Sequence, residues 1–147
     1  MRFMVMVKAT KDSEAGVMPT PEEFAAMGAF NEELIKAGVI EAGEGLHPSA
    51  RGVRVAFSGK DRRVVEGPFP DAGSLVAGFW LWKCDSMQEA IEWVKRCPNP
   101  MRTDSEIEIR QIYSPEDFGD ALPAAVREQE ERLRQQVQSR QTDASPP

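Results

Sequence analysis

The sequence predicts an α+β fold: a ferredoxin-like split β-α-β arrangement with an inserted β-hairpin, followed by a C-terminal helix. Three observations predict it. The chain has 147 residues, enough for one domain with its own core. Residues 2–8 and 76–83 are strand-length apolar runs, and each is followed by a segment of helical periodicity. The resulting order is strand, helix, strand, hairpin, strand, helix, strand and terminal helix, so strand-helix-strand occurs twice.

Composition narrows the class. Hydrophobic residues make up 41% and charged residues 29%, as in ordinary soluble domains. The net charge is −6, from 24 acids against 18 bases, which argues against a general nucleic-acid binder. No apolar run approaches the roughly 20 residues that span a bilayer, and Met1 to Lys8 is too short for a signal segment. The expected compartment is the cytoplasm, with no membrane partner. The spacing of the only two cysteines, Cys84 and Cys97, fits no zinc signature, and there is one histidine. We expect reduced, buried, inert thiols, no metal and no cofactor.

Each element has a local cause. Phe3, Val5 and Val7 alternate with Met4, Met6 and Lys8, so the first strand is apolar on both faces and is expected to be covered on both. Residues 11–20 read as a polar loop. Thr20, Pro21 and Glu23 then supply N-cap, N1 and capping-box acid for a helix to about Ala37, with Phe24, Met27, Phe30, Leu34 and Ile35 as its stripe. Gly38 ends it. Val39 to Leu46 reads as a strand in which Gly43 and Gly45 signal a bulge or a close backbone approach. Gly52 to Phe57 and Arg63 to Val65 form a hairpin around Ser58 to Asp61.

The second half follows the same logic. Residues 76–83 place Gly78, Trp80 and Trp82 on one face and Ala77, Phe79, Leu81 and Lys83 on the other, a central strand. Asp85 or Ser86 caps the next helix, with Met87, Ala90, Ile91 and Val94 buried and Pro98 ending it. Glu106 to Tyr113 is the last strand. A turn near residues 116–118 leads to a charged helix from about Ala121 to Gln138, with a thin stripe of Leu122, Val126, Leu133 and Val137. The expected organisation is therefore a domain over 1–118, a charged helical segment over 119–140 and a disordered tail over 141–147. Two helices cover one face of a sheet, so the other apolar face predicts a homodimer.

One stretch draws the chemistry together: Glu66-Gly67-Pro68-Phe69-Pro70-Asp71, just before the aromatic run 76–82. Acids beside an apolar wall are how small-molecule pockets are built. Histidine is the side chain that titrates near neutrality, and His47 is the only one, so it is the candidate base. A surface or capping role is its alternative. Glu66 is its candidate acid partner and Asp71 the second, although Glu66 equally suits hydrogen bonds to turn amides. Arg54 and Arg110 alternate with apolar residues and could hold an anionic group, or sit as surface cations. Phe69, Trp80 and Trp82 could wall a binding site; the tryptophans also suit a core.

The motifs Glu66-Gly67-Pro68-Phe69, Ala77-Gly78-Phe79, Glu89-Ala90-Ile91-Glu92-Trp93 and Arg96-Cys97-Pro98 occur in that order. With Met1 to Val7, Gly43 to Pro48 and Ile107 to Arg110, they make residues 1–118 resemble the YCII-related, or DGPF-domain, family. The resemblance implies a dimeric α+β-barrel. It also implies kinship with a dehydrochlorinase of a chlorinated hydroxyquinol that has a His and an Asp in its cleft, and with proteins encoded beside sigma-type regulators. The sequence departs from the family pattern at two points. Glu66 replaces the leading Asp, and Asp71-Ala72-Gly73-Ser74 replaces an acid-Thr-Lys-Glu run, removing a cation and a hydroxyl. The functional expectation is a cofactor-independent enzyme acting by proton transfer on a polar aromatic or enolisable molecule, through elimination, isomerisation or cyclisation. A non-catalytic ligand-binding or regulatory module of the same fold is the alternative.

Overall fold

Strand β1 (Arg2–Lys8) buries Phe3, Val5 and Val7, every second residue. The computed structural model, which describes residues 1–144, pairs this strand on both sides. Helix α1 (Lys11–Glu14) is a single turn inside the segment expected to be a loop. Its cause is local: Thr10 Oγ1 accepts the Ser13 N–H while Ser13 Oγ accepts the Thr10 N–H, a capping box built from two hydroxyls. Helix α2 (Pro21–Lys36) starts as its sequence dictates, with Thr20 Oγ1 accepting the Glu23 N–H at 3.1 Å and Glu23 Oε2 accepting the Thr20 N–H at 3.3 Å. Gly38, at φ 72°, turns the chain into β2 (Ile40–Gly45).

The hairpin strands β3 (Val53–Ser58) and β4 (Asp61–Glu66) form a separate two-stranded sheet. Gly59 takes the positive φ, 57°, that its two-residue turn requires. Strand β5 (Val76–Lys83), helix α3 (Met87–Arg96) and strand β6 (Ile107–Gln111) complete the main unit, Met1–Ile112. The four-stranded sheet is antiparallel in the order β2-β5-β1-β6, the split β-α-β topology. Its two most apolar strands are therefore central.

Register decides what each face holds. Phe3 lies opposite Trp82, and Val5 opposite Trp80. Phe30 and Leu34 of α2 and Ala90 of α3 pack on this face, with the Phe30 ring 6.2–6.4 Å from those of Trp80, Trp82 and Trp93. Met87 is exposed, so the buried stripe of α3 begins at Ala90. On the other face Met4 pairs with Leu81 and Met6 with Phe79, all half-buried. Strand β2 shows why it needs glycine: a Cβ at Gly43 would stand 2.8 Å from Trp80 Cδ1.

The second unit begins at Tyr113. A 3-10 segment, Pro115–Ala121, is longer than the turn expected there, and the Tyr113 and Phe118 rings stack at 4.8 Å. Helix α4 (Ala124–Asp143) starts later than the sequence suggested and runs further, with no buried residue. Of residues 141–147, expected to be disordered, 141–143 are helical and Ala144 is the C-cap, while 145–147 lie outside the described residues. No helix among the described residues is long and apolar enough to cross a membrane.

Gly43→Val should cost about 1–3 kcal/mol by forcing Trp80 out of place. Gly45→Ala, whose added Cβ meets nothing within 4 Å, should change stability by less. Urea titrations of both variants provide the comparison.

Candidate functional site

A cleft of about 530 Å³ opens between α2 and the sheet. Met27, Asn31 and Ile35, at successive helical turns, supply one wall; Gly43, Trp80 and Met101 supply others. Its size and largely apolar lining suit a small molecule. Asn31 Oδ1 accepts the Trp80 indole N–H at 3.0 Å, which fixes the ring against the cleft. Trp82 does not share this role. It is fully buried among the core residues under the helices, and its indole N–H has no partner among the described residues. The pair of tryptophans expected as one wall is thus divided between cleft and core, because alternate residues two apart on one face reach different depths beneath α2.

Strand β2 leaves the sheet at the end of this cleft. Leu46 N–H donates to Ala77 O at 2.8 Å, and His47 follows, two residues beyond the cleft-lining Gly45. The His47 side chain is exposed and meets Arg51, whose Nη1 lies 3.2 Å from Nδ1 and 3.1 Å from Nε2. A guanidinium has only donors to offer, so in this contact Arg51 donates and the imidazole accepts.

The turn after His47 is tied to the Glu66 stretch by a short chain of hydrogen bonds. Glu14 of α1 accepts the Ser49 N–H at 3.0 Å and the Ser49 hydroxyl at 2.6 Å. Ser49 Oγ in turn accepts the Phe69 N–H at 2.9 Å. Gly67 N–H donates to Gly52 O at 2.9 Å, and a Cβ on Gly67 would overlap the Ser49 carbonyl oxygen. Glycine is required there by space; the Gly67-Pro68 peptide is cis. The Arg54 guanidinium lies 3.9 Å above the Phe69 ring, a cation–π contact.

The remaining candidates stand apart. Glu66 is exposed at the end of β4, with no side-chain hydrogen bond or ion pair among the described residues. The hydrogen-bonding partner of His47 is therefore Arg51, where the sequence suggested Glu66. Asp71 is exposed at φ 63°, and its carbonyl oxygen accepts the Ser74 N–H and hydroxyl at 3.0 and 2.8 Å. Arg110 pairs with Glu108 at 3.3 Å, and its register opposite Met4 puts it on the sheet face away from Trp80. Asn31, Ser49 and Glu14 were not singled out in the sequence. Only Asn31 left a signal there, a polar residue midway between Met27 and Ile35.

Burial disfavours both thiols as nucleophiles. Burial, reinforced by the charges of Glu89 and Asp85, pushes Cys84 up to about 11, and burial pushes Cys97 up to about 11. Among the described residues no group of His, Cys, Asp and Glu could hold a metal ion.

The YCII-related domain, as a family model, matches residues 1–115. The chain belongs to the YCII-related family. The matched span ends just inside the second unit and takes in every residue of the cleft and of the Ser49 turn. Among its relatives, the "Uncharacterized protein R00369" of Rhizobium meliloti (strain 1021) is 24% identical over 91 residues, covering 60% of this chain and 73% of the relative. Among solved structures, this YCII-related chain is similar to 5-chloro-2-hydroxyhydroquinone dehydrochlorinase (TftG) from Burkholderia phenoliruptrix AC1100, in complex with 2,5-dihydroxybenzoquinone. That likeness has 18% identity and a TM-score of 0.42, covering 79% of this chain and 98% of the other.

Ser49→Ala removes both the hydroxyl donated to Glu14 and the acceptor for Phe69, and should lower stability by about 1–3 kcal/mol in thermal or urea unfolding. For the thiols the sign is fixed by their raised folded values. An unfolded thiol ionises near 9, whereas Cys84 and Cys97 stay neutral to about 11, so their contribution to stability is present below pH 9 and is lost as pH rises to 11. Iodoacetamide at pH 8 should label both cysteines slowly in the folded protein and rapidly in urea; equal rates would contradict the assignment.

Proposed function

We propose that the protein binds a small, polar aromatic or enolisable molecule in the cleft between α2 and the sheet and acts on it by proton transfer, without a cofactor. The observation that carries this reading is the cleft itself, about 530 Å³ with Trp80 held by Asn31 as a fixed aromatic wall. His47, at the exit of the cleft-lining strand, is the base in this reading, with Arg51 as its hydrogen-bonding neighbour. Arg54, stacked on Phe69, is the cation available to an anionic substituent. The substrate class is a polar aromatic or enolisable compound, and the reaction an elimination, isomerisation or cyclisation.

A second reading has its own observation. His47 is exposed and its neighbour is a cation, while Glu66 has no hydrogen bond to it. A base oriented by a carboxylate is the commoner catalytic arrangement. A non-catalytic module that binds the same class of ligand in the same cleft fits this feature.

We also propose that the protein is a homodimer. Met4, Met6, Phe79 and Leu81 form an apolar outer sheet face, opposite the face on which α2 and α3 pack. Burying such a face against its twin is the economical solution. Light scattering at micromolar concentration should return about twice the 16.4 kDa chain mass; a 16.4 kDa species would remove the dimer.

Binding and turnover separate the two functional readings. A panel of hydroxylated aromatic and enolisable compounds should quench tryptophan emission, and Gly43→Leu should abolish the response by filling the cleft. His47→Ala should retain binding and lose turnover by about 10²–10⁴-fold if the enzyme reading holds. Unchanged turnover removes His47 from the mechanism, and binding with no turnover in the wild type leaves the module.

A further inference from the structure

Along α2 the cleft lining recurs at every fourth residue, at Met27, Asn31 and Ile35. One step earlier stands Glu23, which lines a second, smaller chamber of about 120 Å³. The two cavities lie end to end along one helix face, about 18 Å from Glu23 to Ile35 at 1.5 Å of rise per residue. The opposite wall agrees. Val7 of β1 lines the cleft, and Thr10, just beyond the end of that strand, lines the chamber. Pro100 and Met101 line both and so form the partition between them.

Of this partition, the Met101 side chain is the movable part. Its backbone is fixed: the Met101 N–H donates to Asn99 Oδ1 at 2.9 Å, the Ser105 hydroxyl donates to the same oxygen at 2.7 Å, and Asn99 Nδ2 donates to the Thr103 carbonyl at 3.1 Å. Arg102 pins this loop to the start of α2, donating through Nε to Glu23 at 3.1 Å and through Nη2 to the Met18 carbonyl at 2.9 Å. The Met101 sulfur, by contrast, is held by the Thr10 hydroxyl at 3.6 Å, and a thioether is a weak acceptor. An unbranched side chain with three rotatable bonds turns easily. Turning it joins the chamber to the cleft while the loop stays in place.

The polar groups of the chamber are largely spent on one another. The Thr10 and Ser13 hydroxyls complete the capping box of α1. The Glu23 carboxylate accepts from Arg102 and from the Thr20 N–H. What is left to a ligand is the apolar surface of Val17, Met18, Pro19 and Met101. Asp12 stands at the same chamber, an exposed carboxylate with no side-chain hydrogen bond or ion pair among the described residues. A neutral hydrocarbon group gains from such a surface, whereas an anion gives up its water and meets a like charge.

We propose that the chamber beyond Met101 is a second subsite of the cleft, one that seats a short neutral alkyl substituent of the bound ring, with Met101 as the gate between the two. This rests on the reading of the cleft as a small-molecule site and names the ligand more closely. It is a polar ring carrying an alkyl chain, laid along α2 with the ring beside Trp80 and the chain towards Thr10.

Isothermal titration calorimetry on the full chain tests it, with phenol and its 4-methyl, 4-ethyl and 4-propyl derivatives as probes. Affinity should rise about fourfold with each carbon added, the increment of a buried methylene. The same propyl chain ended by a carboxylate should bind no more tightly than phenol. Val17→Trp and Met18→Trp, at positions 45% and 70% exposed, should each fill the chamber and bring the ratio of 4-propylphenol to phenol affinity close to one. Far-UV circular dichroism identifies which of the two is folded. Met101→Ala, which removes the gate, should raise that ratio. A flat series in the wild type overturns the subsite and leaves the cleft. An increment that persists in the folded tryptophan variant places the chain elsewhere and overturns the subsite, and tighter binding of the carboxylate overturns its apolar character. An unchanged ratio in Met101→Ala removes the gate. If none of the phenols binds, the subsite and the cleft reading fall together.

Discussion

The pairing of β1 with β5 is the constraint on which the rest of the molecule depends. It sets Phe3 against Trp82 and Val5 against Trp80, and so determines which face must be covered by helices. Burying one tryptophan removes about 150–250 Å² of surface from water, and two on one strand make that face the strongest local sink for apolar area. Phe30 and Leu34 of α2 and Ala90 of α3 answer to it. The cleft is a by-product of the same packing. The Trp80 ring lies over Gly43 on the edge strand, too close for a Cβ, and beside it room remains between α2 and the sheet.

A second, more local constraint works at Ser49. Its hydroxyl donates to Glu14 and accepts from Phe69, so one side chain joins α1, the turn after His47 and the Gly67-Pro68-Phe69 stretch. Three segments distant in sequence are tied through atoms that leave little slack, and Gly67, bonded to the Gly52 carbonyl, lies against the Ser49 backbone with no space for a Cβ. The signature of the family is accordingly a packing motif in this chain as much as a chemical one. Its glycine and its phenylalanine amide have structural partners, while the acid at its head, Glu66, has none among the described residues.

The fold was legible because it is written in short-range patterns. Period-two alternation in β1 and β5, the Thr20–Glu23 and Ser86–Glu89 caps, Gly38 and the hairpin around Gly59 each announce themselves within a few residues. The α1 turn was missed because a capping box made of Thr10 and Ser13 lacks the usual Glu or Gln, and four residues are too few for a periodic stripe. The site was only partly legible. Sequence gave residue types worth watching, but contacts such as Asn31 to Trp80 or Glu14 to Ser49 span 49 and 35 positions, and no local rule anticipates them. Arg51 was overlooked beside His47 although it is only four residues away, since a 3-10 turn at Ser49–Arg51 brings it back. The expected His47–Glu66 pair drew on a habit of catalytic sites, where a base keeps an acid for company; here the hydrogen-bonding neighbour is a cation.

The Asn31–Trp80 hydrogen bond also gives the cleft a polarity. An indole N–H can only donate, so the amide must turn its oxygen towards the ring, and its orientation is no longer free. What Asn31 has left to offer is its NH₂ group, two donors with no partner among the described residues. Glu44, at the β2 rim of the same cleft, is a second polar side chain of the lining and offers acceptors alone. A carbonyl or phenolate oxygen beside Asn31 is met with an N–H, whereas an N–H placed there finds a facing donor and gives up its water for little in return. The wall that holds Trp80 thereby favours the oxygen-bearing end of a ring, and the β2 rim its donor end.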